Sequence, residues 1–252
     1  MLRSPVFEIP VDDPETARLA ARFADRLEVC RDLEAEGLTP TSEFVSEIVA
    51  ASRRDGRAPE IAVVFQELPP PPDRRAVTPE DFGARPQDLE RLQILAPEFA
   101  AAGARSIVLG FVDSTGNPDV ASVGRAVDIA AASGLRIAFH RAFDLAPDPA
   151  QAARMLVELG VERTLAAGSM GYDATISSID SRVERLALAA EAASQDAFSV
   201  VPCGGVRSTN FAAFAKATPH AHASCRHRPS AFELGRFDDV EAAALHALVH
   251  LA

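Results

Sequence analysis

The chain has 252 residues, 48% of them apolar, no tryptophan and a formal charge of −11. That acidic excess excludes sequence-independent nucleic-acid binding, which needs a basic footprint, and disfavours docking on anionic membranes. No apolar run reaches the ~18 residues of a spanning helix, Met1–Asp13 lacks signal-peptide architecture, and Cys30, Cys203 and Cys225 lack CxxC spacing. A soluble cytoplasmic protein is expected, without a disulfide framework or a zinc knuckle.

Eight short apolar runs follow one another along the chain: Phe7–Val11, Asp25–Cys30, Glu60–Gln66, Ser106–Val112, Arg136–Ala142, Arg163–Gly168, Phe198–Gly205 and His220–Arg226. Amphipathic stretches separate them, each with its own start and stop signals. Asp12-Asp13-Pro14 opens a first helix, with acid and Pro in its first turn. Ser42-Glu43 leads a second, carrying Phe44, Val45, Ile48 and Val49 at helical spacing and leaving through Arg53-Arg54-Asp55-Gly56. Between the third run and its helix lies Leu68-Pro69-Pro70-Pro71-Pro72-Asp73-Arg74-Arg75, irregular to about Phe82. A Pro run lacks sheet donors, so this segment predicts a lid, a partner-binding arm or a loose insertion. Further on, Asp119 starts a helix with Val120, Val123, Val127 and Ile129 that Ser133-Gly134 ends, and Asp148-Pro149 starts another that Gly160 closes. The last helix runs over roughly Val240–Leu251, with Asp238 and Asp239 at its positive end. Eight strand–helix units predict one α/β domain over residues 1–252, a single (β/α)8 TIM-type barrel whose ligand face lies at the C-terminal ends of the strands.

Strand alternation then sorts side chains between lumen and helix layer. The polar parity places Arg26, Glu28 and Cys30 inward on strand two, and His220, His222, Ser224 and Arg226 inward on strand eight. Glu8 and His140 join them by the same argument. Isolated charges in a barrel interior cost several kcal/mol each, so these groups predict either an ion-pair plug or a polar pocket. After strand seven, Cys203-Gly204-Gly205-Val206-Arg207-Ser208-Thr209-Asn210 offers two glycines for close backbone approach. Ser208 or Thr209 would cap the next helix, and Arg207 and Arg226 would add charge for a phosphate; a plain tight turn is the alternative.

Ala138-Phe139-His140-Arg141-Ala142-Phe143-Asp144 is a distinctive heptapeptide. Together with Arg26-Leu27-Glu28-Val29-Cys30, Glu36-Gly37-Leu38-Thr39-Pro40, Gly204-Gly205-Val206-Arg207 and His222-Ala223-Ser224, it resembles the CutC copper-homeostasis family from about Phe7 to Arg226. The resemblance implies a (β/α)8-type barrel, a role in copper tolerance and copper ion binding, with no firm reaction. It points to Glu8, Arg26, Glu28, Cys30, His140, Arg141, Asp144, His222 and Ser224. Three departures accompany it: Val64-Phe65-Gln66-Glu67-Leu68-Pro69 replaces an Ile-Arg-Pro-Arg-like motif, Pro10 stands where a Cys is usual, and the glycine triplet reads Cys203-Gly204-Gly205. Two cationic groups are thereby lost unless Arg74 or Arg75 folds back.

Cu(I) favours thiolate and imidazole ligands in close convergence. Cys30 and Cys203 are expected far apart around the ring and Cys225 outside it, which leaves a mixed metal site of Cys30, His140 and His222. The metal-free alternative is an enzyme of the proton-transfer, isomerase or lyase type acting on a small anionic or phosphorylated metabolite. There His140 is the general acid or base, Glu28 or Glu8 its partner, and Arg26, Arg141, Asp144, Gly204, Gly205, Arg207, His222 and Ser224 surround the ligand. Lys216, the sole lysine and assigned to a helix, is remote from the mouth, which disfavours Schiff-base chemistry. A catalytically silent binding scaffold is the third reading, and a homo-oligomer is compatible with all three.

Overall fold

A computed structural model describes residues 4–53, 58–193, 198–227 and 235–251. The eight predicted runs are eight parallel strands: β1 (Phe7–Val11), β2 (Arg26–Val29), β3 (Glu60–Val64), β4 (Ser106–Leu109), β5 (Arg136–Phe139), β6 (Arg163–Ala166), β7 (Ser199–Pro202) and β8 (Ala221–His222). They pair in the order β7-β6-β5-β4-β3-β2-β1-β8, and β7 and β8 come together to leave a nearly closed barrel. Most strands stop short of their apolar runs because the chain turns toward the ligand face, as where Gly168 and Gly204 take φ of 74° and 67°. Among the described residues, strand β8 pairs with Phe7 and Glu8 of β1, and Cys225 beyond it has φ 47°.

Helices α1 (Pro14–Ala20), α2 (Ser42–Ser52), α3 (Pro86–Ala102), α4 (Val120–Ala132), α5 (Pro149–Glu158), α6 (Ile179–Ala192), α7 (Phe211–Phe214) and α8 (Asp239–Leu251) surround the strands. The anticipated caps form: Asp13 accepts from the Thr16 amide, Asp119 from Ala121 and Ser122, and Asp148 from Ala150 and Gln151. Asp238 accepts from the Val240 and Glu241 amides at the start of α8. Thr41, rather than Ser42, caps α2. The polar exit expected at Arg54-Asp55-Gly56 lies outside the described residues. On α4 the buried face is Val123, Ala126 and Ala130, while Val120 is exposed.

Two apolar sets divide the interior. One set, including Ile9, Leu27, Val63, Ile107 and Cys225, packs with Ala17, Val45, Ile48 and Leu245 of the helices. The other lies inside the barrel: Cys30, Ala62, Val64, Val108, Ala138, Leu165, Val201 and Cys203. Parity therefore holds for Cys225, which faces the helices. The β7 alternation brings Cys203 inward with Val201, into the same apolar layer as Cys30.

The Pro-rich segment is neither a free arm nor a loose insertion. It folds through two short 3-10 turns, Arg74–Ala76 and Pro79–Phe82, and buries Phe82. Arg74 pairs with Glu36 and Arg75 with Asp173, tying it across the ligand face.

Candidate functional site

Charges enter the barrel in two layers, and each charge's place along its strand decides which. The lower layer comes from strand starts: Glu8, Arg26, Glu60, Ser106 and Arg163, joined by Glu162 and Arg136. Glu8 is fully buried and its Oε2 lies 3.1 Å from both Arg26 and Arg163. Arg26 also donates to Glu60 at 2.7 Å, Arg163 pairs with Glu162 and donates to Ser106, and Arg136 bridges Glu60 and Glu162. Burial works against the Glu8 charge, but Arg163, His222 and Arg26 outweigh it and hold the carboxyl far below the usual range. Glu8 is therefore an ionised structural anchor, and Arg26 is consumed in this plug instead of holding an anion at the mouth. That corrects the ligand role expected for Arg26.

The upper layer opens on a cavity of about 430 Å³. Glu28, third in β2, and His222, last in β8, both line it. Register explains their meeting, since Glu8 of β1 is opposite both Arg26 and His222, and Pro10 is opposite Glu28. His222 Nδ1 is 2.9 Å from Glu8 Oε1, and its Nε2 is 3.7 Å from Glu28 Oε2. The first distance is a hydrogen bond that orients the ring; the second is too long for one and leaves Glu28 free toward the cavity. Burial raises the Glu28 carboxyl to about 7, with the Glu8 charge adding to it against His222, Arg163 and Arg26. For His222, burial disfavours the charge, but Glu28 and Glu8 prevail and raise its affinity for protons. A carboxyl raised to about 7 beside an imidazole whose proton affinity is also raised forms an acid–base pair, with Glu8 fixed behind it.

These contacts reassign the expected chemistry. His140 does line the cavity, but Glu8 and Glu28 meet His222, not His140. His140 Nδ1 accepts from the Ala142 amide at 3.1 Å and its ring stacks edge-on against Phe82 at 5.1 Å. Burial, with Arg141 nearby, lowers its pKa to about 4, so it is neutral at pH 7.

The mixed metal set does not assemble. Among the described residues, the His, Cys, Asp and Glu donors that converge within 4.8 Å are those of Glu8, Glu28 and His222, without Cys30 or His140. Cys30 lies beneath Gly37, its thiol donates to the Val11 carbonyl at 3.7 Å, and burial pushes its pKa well up.

The cavity lining is also cationic. Arg74, Arg141, Arg182 and Arg207 all line the cavity. Arg182 is occupied by the carbonyls of Ala167, Cys203 and Gly204, and so shapes the loops. Arg141 donates to the Tyr172 carbonyl at 2.6 Å and lies 4.4 Å over its ring; Tyr172, the lone tyrosine, gave no sequence signal. Asp144 does not reach the cavity. It accepts from the Ala167 and Gly168 amides and stands 3.5 Å from Arg141, so it positions that arginine and the loop after β6. The conditional expectation for Arg74 is met, since the Pro-rich segment returns this cation to the mouth.

Gly204, Gly205 and Ser224 line the cavity as well. Gly204 needs to be glycine because an added Cβ would come within 3.0 Å of the Ala167 Cβ, at a φ of 67°. The capping expectation fails: Ser208 donates to Glu241, and Asn210 begins the four-residue α7 with no side-chain cap. Arg226 turns away to Asp12 and Asp13. Lys216 follows α7 in a turn.

A family comparison matches residues 6–227 to the CutC family. A protein named CutC from Rhizobium meliloti is 32% identical over 223 residues, covering 86% of this chain and 80% of its own. Another, from Sinorhizobium medicae, is 36% identical over 166 residues, 65% of this chain and 60% of its own. Among solved structures, the CutC copper homeostasis protein of Streptococcus agalactiae aligns with a TM-score of 0.69 at 21% identity, over 87% of this chain and 98% of the other. That likeness bears out the barrel fold.

Proposed function

The chain is a member of the CutC family, and from that premise we propose that its barrel mouth binds a small anionic metabolite and moves a proton on it. One observation carries this reading: the Glu28–His222 pair, steadied by Glu8, lies at a cavity that Arg74, Arg141 and Arg207 also line. The arginines supply charge for a carboxylate or phosphate, and the pair supplies a proton donor and an acceptor. His140, neutral, acts as a polar wall. Asp144 and Tyr172 keep Arg141 in place.

A copper homeostasis role, the one in the name of the Streptococcus relative, then runs through this small-molecule chemistry rather than a thiolate site. Soft Cu(I) does not fit the residues present. The Cys30 and Cys203 thiols are both pushed up by burial, and the converging donors are two carboxylates and one imidazole. That oxygen-rich set favours, as a second reading, a divalent cation such as Cu(II), in competition with the arginines already holding Glu8. Both readings share a cytoplasmic setting.

A thermal-shift panel of small carboxylates and phosphate esters, followed by NMR of proton exchange into D2O, tests the proposal. A stabilising compound should lose its exchange, but not its binding, in Glu28→Gln. Absence of any anion-dependent stabilisation overturns the reading. Stoichiometric Cu(II) uptake that vanishes in His222→Ala favours the second one instead.

A further inference from the structure

The cavity already contains an anion of its own. Glu36, in the loop between β2 and α2, reaches in with its carboxylate split between two cations: Oε1 pairs with Arg74, and Oε2 lies 3.6 Å from Arg141 Nη1. Each oxygen thus faces its own guanidinium, Arg74 in direct contact and Arg141 at ion-pair distance.

Glu36 arrives there at a backbone cost. It adopts the left-handed region at φ 67°, ψ 11°, and Asp32 at the other end of the same loop does so at φ 58°, ψ 63°. Non-glycine residues in that region carry backbone strain. Its 3-10 turn Leu33–Ala35 buries none of its residues and lacks a side-chain cap, while reciprocal main-chain bonds between Arg31 and Leu38 close the loop's base and the Leu33 amide donates to Asp12. The exposed turn is the part of the loop free to move above that paired base. The receptor beneath it is rigid. Arg141 is braced by Asp144, the Tyr172 carbonyl and the Tyr172 ring, and its buried Nε makes no hydrogen bond.

We propose that Arg74 and Arg141 form the subsite for a carboxylate group of the ligand, and that Glu36 occupies it as an internal stand-in which the ligand displaces. This rests on the anion-binding reading above and narrows its substrate class to small carboxylic acids. The ligand's entry releases the strained loop, so binding and loop opening are one event.

Calorimetric titration with malonate at fixed ionic strength tests this in the wild type, Glu36→Gln, Glu36→Ala and Glu36→Gln combined with Arg74→Ala. Glu36→Gln keeps the side chain's shape but not its charge. It should bind malonate about tenfold or more tightly than wild type. Removing Arg74 on that background should abolish the gain. In wild type, malonate should speed amide exchange over residues 32–38. Equal or weaker binding in both Glu36 variants makes Glu36 a mere latch for the Pro-rich segment and overturns the proposal, as does a gain that survives loss of Arg74. A gain for inorganic phosphate without one for malonate overturns the carboxylate assignment. Anion binding that needs Arg141 but ignores Glu36 defeats the stand-in alone, whereas no anion binding in any variant defeats the parent reading too.

Discussion

The lower and upper halves of the barrel interior are both charged, yet only one is built to meet a ligand. In the lower half Glu8, Glu60 and Glu162 are balanced by Arg26, Arg136 and Arg163 in an ion-pair plug. In the upper half Glu28, His222 and the arginines border open space, and His222 and Glu28 stand 3.7 Å apart without a hydrogen bond. Glu8 belongs to both, with one oxygen on the arginines and the other on His222. Buried charge alone therefore does not mark a site. Charge that keeps free volume beside it does.

The sharpest way to break the comparison is to unpair the plug. Arg163→Met strips a cation from buried Glu8 and should lower stability by about 3–5 kcal/mol, read by urea unfolding. A loss under 1 kcal/mol would mean that the lower layer is not a structural network. Gly110→Ala probes the upper half: its Cβ would sit 2.3 Å from the His140 ring, forcing the ring off Phe82. Overpacking there should cost about 1–3 kcal/mol and also perturb anion binding, which Arg163→Met should affect only through stability.

Glu28→Gln should act in the opposite direction. A carboxyl at about 7 in the fold and about 4.5 when unfolded holds its proton longer in the native state. The unfolded chain thus binds fewer protons between those values, and stability falls as pH rises from about 4.5 through about 7. The variant should flatten that slope and gain up to about 3 kcal/mol at pH 8. Unchanged pH dependence would place Glu28 in water rather than in a desolvated pocket.

The strands were legible because apolar runs and helix caps are local signals, and Asp13, Asp119 and Asp148 cap where they stand in the chain. Inward parity was legible for Glu8, Arg26, Glu28 and His222 as well. Depth was read less well. Arg26 opens β2 and falls into the plug, while Glu28 two residues later reaches the cavity, a distinction that needs the strand's true start. Arg163 could have been found by the same parity argument applied to the first residue of strand six. Partner choice was hidden, because whether Glu8 meets His140 or His222 depends on β1 pairing with β8 across the ring. Glu36 entered only through a motif, and its contact with Arg74 spans a loop whose path the Pro run alone does not specify.

The proton shared at the mouth is the centre of the account, and carbon-13 NMR of the glutamate carboxyls reads it directly. Glu28 should titrate near 7, and higher still in His222→Ala, where the cationic neighbour that lowers it is gone. A Glu28 midpoint in the ordinary range near 4.5, unmoved by loss of His222, would contradict it.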